Sequence, residues 1–161
     1  MPEIQLSVRY DGPVPGSVHL RARTWRVLQK ASWEAVGKFW HATMLRKHFT
    51  PGGAAEYGYT PRQRGYTESK LEKFGHSNPL EWTGESKRGA AREDVRATFN
   101  GVRVVLHAPK LNFRGKDSNV RMSEEMRTIS TAEGKTLSNK FDAWLERRLK
   151  QITKTTTQQI K

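Results

Sequence analysis

Ile4, Leu6, Val8 and Tyr10 alternate with Gln5, Ser7 and Arg9, the period of two that sets one face of a strand against a core. Asp11-Gly12-Pro13 ends this strand, and the Pro and Gly residues of 12–16 exclude regular structure there. From Thr24 to Phe49 the period changes. Trp25, Leu28, Ser32, Val36, Phe39 and Thr43 follow one helical stripe, with Trp33, Trp40 and Met44 beside it. This predicts a long helix whose apolar face is wider than one small sheet covers. Part of that face then meets another subunit, or all of it packs inside the chain. A turn follows at Pro51-Gly52-Gly53. Thr60-Pro61 predicts a second, mostly polar helix over 61–74, with Pro at its first position and Gly75 at its end.

The β signal is clearest further on. Val95, Ala97 and Phe99 alternate with Arg96 and Thr98, Asn100-Gly101 is a type I′ turn signal, and Val102 to His107 returns as a strand. Pro109 stops the hairpin, and Lys110 to Arg121 shows no periodicity, as in a long functional loop. Met122 to Met126 predicts a short helix, and Ser130-Thr131-Ala132-Glu133 has the spacing of a capping box. Leu137, Phe141, Trp144, Leu145, Leu149 and Ile152 mark one apolar face of a terminal helix. If Trp144 is buried there, its replacement by Ala costs about 3–5 kcal/mol. Thr153 to Lys161 is polar and is expected to fray. The fold class is α+β: a long N-terminal helix and a C-terminal helix packed on a small antiparallel sheet containing the Asn-Gly hairpin. Residues 1–161 read as one domain, with a strand and arm over 1–23, a core over 24–152 and a tail over 153–161.

Composition narrows the class. There is no Cys, which excludes a disulfide framework and a Cys-based zinc site. Met1 to Gln5 lacks a basic and apolar leader, and no window approaches 18 apolar residues, so the expectation is a protein made in the cytoplasm with no membrane partner. Lys and Arg total 29 against 16 Asp and Glu, a formal charge of +13, which favours polyanions or acidic protein surfaces. The excess is local. Lys110, Arg114, Lys116 and Arg121 face only Asp117, and no acid follows Glu146. Either these residues form an anion-binding surface or they are a solvated face.

Catalytic signatures are missing from the chain. The five His are scattered, and His41 and His48 stand seven apart, too far along a helix to share a metal. Adjacent Glu124 and Glu125 point to different helix faces, and no G-x-S-x-G, HExxH or P-loop pattern occurs. The expectation is a protein that is not an enzyme and takes no cofactor or metal. The ordered stretch is His48 to Gly84, where Tyr57, Tyr59 and Tyr66 interleave with Arg62 and Arg64. Tyr and Arg in this arrangement could stack on bases, or pack under a loop and bind carboxylates, and both types are enriched at protein interfaces.

The same stretch resembles small virion proteins of tailed bacteriophages, encoded among the head-to-tail joining genes. The resemblance rests on a long helix ending in His48-Phe49, then Tyr57-Gly58-Tyr59-Thr60-Pro61-Arg62, then Tyr66-Thr67-Glu68-Ser69-Lys70, then Pro79 to Gly84 leading into a hairpin. Ser123-Glu124-Glu125-Met126, Ile129-Ser130 with Glu133, and the last helix extend it over about Thr24 to Leu149, whereas Met1 to Arg23 matches nothing in the group. It implies a ring-shaped neck, head-tail connector or tail-terminus subunit in the virion, with other neck or tail proteins as partners and genomic DNA passing through the lumen. A ring of this kind is heterologous. Trp33, Trp40, Tyr57, Tyr59, Arg62, Arg64 and Tyr66 are then the candidate subunit interface. Lys110, Arg114, Lys116 and Arg121 are candidates for the channel wall or an acidic partner ring. The alternative is a sequence-nonspecific nucleic-acid-binding protein using the Tyr/Arg segment 57–73.

Overall fold

The computed structural model describes residues 3–6, 22–113 and 118–159. Its sheet is three-stranded and antiparallel, with β1 (Glu3–Leu6) and β2 (Val95–Thr98) flanking β3 (Gly101–Val105). Val104 faces Ile4 on one side and Val95 on the other. β3 takes the centre because Val102, Val104 and Val105 are buried, and β-branched side chains suit a pleated surface covered by neighbours. The continuation of the predicted N-terminal strand to Tyr10, and the loop over 12–16, lie outside the described residues. The hairpin forms, with one correction to its turn. Thr98 pairs with Gly101, so the connecting residues are Phe99 and Asn100. None of these residues has a positive φ, whereas a type I′ turn needs two in succession. The Thr98 hydroxyl ties the bend instead, accepting from the Asn100 N–H and donating to the Gly101 carbonyl, each at 3.3 Å.

α1 (Ala22–Thr43) lies between the sheet and α6 (Thr131–Gln159). Its wide apolar face therefore has two coverings inside one chain. At Gly37 the sheet comes so close that a Cβ would stand 2.6 Å from the Val102 side chain and 2.7 Å from that of Val95. On the other flank the Trp33 ring lies 4.4 Å from Phe141 of α6. Trp33 and Trp40 are 2% and 0% exposed, which corrects their assignment to a subunit interface: both belong to the core.

The long helix also ends earlier than its stripe implies. The Thr43 hydroxyl bonds back to the Phe39 carbonyl at 2.6 Å, and Leu45–Phe49 tightens into a 3-10 turn. The expected turn at Pro51-Gly52-Gly53 is instead the start of α2 (Pro51–Glu56), with Pro51 in the first turn and the Thr50 hydroxyl accepting from the Gly53 N–H at 3.1 Å. Gly53 is required there, because a Cβ would meet the Lys47 carbonyl oxygen at 1.9 Å.

α3 (Arg64–Phe74) begins three residues after the predicted Pro61 and ends, as expected, on Gly75 at φ 69. After α4 (Glu85–Ala90) and the hairpin come a 3-10 turn over Pro109–Asn112 and α5 (Met122–Glu125). The predicted capping box is present at the start of α6: the Ser130 hydroxyl accepts from the Glu133 N–H at 3.2 Å and Glu133 accepts from the Ser130 N–H at 3.4 Å. Leu137, Phe141 and Leu145 are buried, and Leu149 and Ile152 pack against the core.

Trp144 is the exception on that stripe. It is only half-buried, flanked by the guanidinium groups of Arg147 and Arg148 at 5.6 and 5.9 Å from its ring. Trp144→Ala is accordingly expected to cost about 1 kcal/mol in denaturant unfolding, the scale of an exposed cation–π contact, and a loss above about 3 kcal/mol would contradict this placement. α6 continues to Gln159. No Pro or Gly interrupts that stretch, so the helical backbone has no local stop signal. No helix among the described residues is long and apolar enough to cross a membrane.

Candidate functional site

The Tyr/Arg segment divides into a buried half and an exposed half. In the buried half the Tyr57 ring stacks on His48, with centroids 3.9 Å apart and planes within 6°. The Tyr57 hydroxyl donates to Glu133 Oε1 at 2.5 Å, which ties the segment to the cap of α6. His48 Nδ1 and the Tyr59 hydroxyl share a 2.5 Å hydrogen bond. Arg62 forms a two-pronged pair with Glu125, at 2.9 Å to Oε1 and 2.5 Å to Oε2, and the Thr60 N–H adds a third bond to Oε1 at 3.0 Å. Arg62 also donates to the Thr60 carbonyl. Both polar groups of the Thr60 backbone are thus engaged outside a helix, which accounts for the late start of α3. Tyr57 and Tyr59 are buried, so they offer no ring face to an outside base or subunit.

Burial sets the protonation of this cluster. It is the main cause that raises Tyr57 and Tyr59 above the usual phenol range, so both stay protonated, and the bond to Glu133 adds to it for Tyr57. The bond to Glu125 holds Arg62 firmly charged. Burial, assisted by the charge on Lys47, depresses His48 from 6.5 to about 4. A depressed His contributes stability that is complete above its unfolded value and is lost as pH falls through the interval between the two values. Acidification from pH 6.5 to about 4 is therefore expected to remove about 3 kcal/mol through His48 alone. Denaturant midpoints of wild type and His48→Phe across that range measure it. Parallel pH profiles for the two proteins would exclude His48 as the source.

The exposed half is α3. Of its eleven residues only Lys70 is buried. Tyr66 and Leu71 are 42% and 55% exposed, and Trp82, from the segment after α3, is 40% exposed. The Trp82 ring lies 5.3 Å from Tyr66 and 5.0 Å from Phe74, forming an aromatic patch open to solvent. Arg64 reaches back only to Glu68, at 2.7 Å on the same helix. Behind Tyr66 a cavity of about 190 Å³ opens between α3 and residues 77–79, with Arg62 and Lys70 among its lining side chains. Burial lowers the Lys70 ammonium below the usual lysine range.

Four of the seven predicted interface residues, Trp33, Trp40, Tyr57 and Tyr59, are thus core. Arg62 is largely engaged, and Arg64 and Tyr66 remain on the surface. Lys70, buried beneath that surface, and Trp82 complete the site. The spacing of Tyr66, Lys70 and Phe74 along one side of a helix signals the first, but nothing local brings Trp82 to it. The basic loop is only partly described, since Arg114 and Lys116 lie outside the described residues. Lys110 pairs with Glu85, and Arg121 with Glu124 at 2.7 Å, so these two cations have acidic partners within the chain. Among the described residues no three His, Asp or Glu side chains gather as metal ligands do. Comparisons with protein-family models, curated proteins and solved structures give no match.

Proposed function

We propose that the protein is a structural virion protein of a tailed phage, a subunit of the neck, head-tail connector or tail-terminus ring, which works by docking and not by turnover. The observation that carries this reading is α3, a helix of eleven residues with a single buried side chain and an open Tyr66–Trp82 aromatic patch. A helix that buries so little against its own chain gains its stability from packing on something else, and exposed aromatics beside Arg and Lys are what protein interfaces use. The sequence resemblance from Thr24 to Leu149 supplies the virion setting. In that setting the residual positive charge of the ring wall neutralises DNA phosphates in the lumen without reading sequence.

Mass spectrometry and electron microscopy of purified particles test the reading. The protein is expected in the particle at ring stoichiometry, and Tyr66→Ser with Leu71→Ser is expected to lower its incorporation at least tenfold while leaving the isolated subunit folded. Absence of the wild-type protein from purified particles would sink the proposal.

A further inference from the structure

We infer that the cavity beside α3 receives the carboxylate of an Asp or Glu side chain from an acidic segment of a partner protein, with Lys70 as its counter-ion. This rests on the docking reading of α3 and names what the partner must present. Lys70 is only 2% exposed, and its one hydrogen-bond acceptor is the Asn78 carbonyl. An ammonium carries three donors. The Tyr66 ring lies 5.7 Å from Nζ. Glu81 is the carboxylate whose charge favours the Lys70 cation, but it accepts from Asn78 and Lys87, and among the described residues no carboxylate pairs with Lys70 within 4.0 Å.

Arg62, which also lines the cavity, is a like charge that acts against the Lys70 cation, and Glu125, the partner of Arg62, is taken up by that pair. A buried cation whose favourable carboxylate, Glu81, acts only from beyond contact distance remains costly, and an arriving carboxylate in direct contact lowers that cost.

Size and shape select the occupant. A volume of about 190 Å³ lies below the roughly 300–1,000 Å³ of small-molecule pockets. That space suits one amino-acid side chain. The walls supplied by Pro51, Ala54, Tyr66 and Pro79 fit the methylene stem of a Glu. A backbone phosphate, carrying a sugar on each side, is too broad to bring its oxygens to an amine buried this deeply. The net charge of +13 draws in acidic partners from a distance. Most exposed acids of the chain itself already pair internally, as Glu34, Glu68, Glu85 and Glu124 do.

The test uses the full chain and a ten-residue peptide of alternating Glu and Gly, followed through the lysine ε-CH₂ NMR signals. The Lys70 signal is expected to shift saturably and its deprotonation midpoint to rise with peptide. Lys70→Met should weaken binding at least tenfold, and Lys73→Met, on the same helix, less than twofold. Equal loss in both variants, or none in Lys70→Met, would overturn the inference. So would a single-stranded oligonucleotide that saturates the Lys70 signal where the peptide does not, which would indicate a nucleic-acid ligand. If Lys70→Met does not fold, the wild-type signal alone decides. Incorporation into particles is a separate readout. Peptide binding at Lys70 by a protein missing from virions keeps the site and removes the virion reading, while the converse result does the opposite.

Discussion

Arg62→Met is expected to destabilise the fold by about 3 kcal/mol, because it leaves the Glu125 carboxylate buried with one backbone donor. The pair lies in a half-dry position, with side chains 19% and 9% exposed, so screening by solvent and salt is weak compared with an open surface pair. The second expectation separates attraction from desolvation. Arg62→Met combined with Glu125→Leu should recover most of the loss, since removing both charges removes the unpaired one. Urea unfolding of the two single variants and the double variant measures the coupling. A single-variant loss under 1 kcal/mol would mean that water reaches Glu125 and that the segment is not anchored there.

Trp40→Ala is expected to cost about 3–5 kcal/mol, the range for truncating a large buried aromatic. Trp40 is fully buried, and its ring meets His48 edge-on with centroids 5.8 Å apart and planes at 62°. The indole Nε1 is buried without a hydrogen-bond partner among the described residues. Trp40→Phe should then lose far less, about 1 kcal/mol, because the cost of part of the lost volume is offset by removing an unsatisfied donor. Thermal unfolding distinguishes these outcomes. A Phe variant as damaged as the Ala variant would show that the indole nitrogen is satisfied after all.

The elements that could be read from the chain are those whose cause is local. The capping box at Ser130 to Glu133 and the left-handed Gly75 depend on neighbours within two turns of helix, the apolar stripe of Leu137, Phe141 and Leu145 is set by helical spacing, and all appear as read. Errors arise where distant groups take over a local signal. Thr60-Pro61 carries a helix-start signature, but Arg62, held by the distant Glu125, donates to the Thr60 carbonyl that would otherwise accept the first bond of the helix. Trp33 and Trp40 looked excessive for one sheet because α6, about a hundred residues downstream, supplies the second covering.

The candidate site divides in the same way. Tyr57, Tyr59 and Tyr66 have similar surroundings in sequence, yet two are buried and one is open. What separates them is the placement of His48 and Glu133, which no spacing rule specifies. Trp82 joins the surface through a turn that holds Leu80 at φ 54, a backbone state that its residue type does not advertise.

The Glu133 carboxylate serves two masters, the first turn of α6 and the Tyr57 hydroxyl 76 positions earlier. A chain drifting under mutation cannot change one of these roles without disturbing the other. Among distant descendants of the same ancestor, Tyr57, Ser130 and Glu133 should therefore be kept or replaced together, even where the surrounding sequence has diverged past recognition. Joint inheritance of this trio would be a sharper mark of kinship than overall identity.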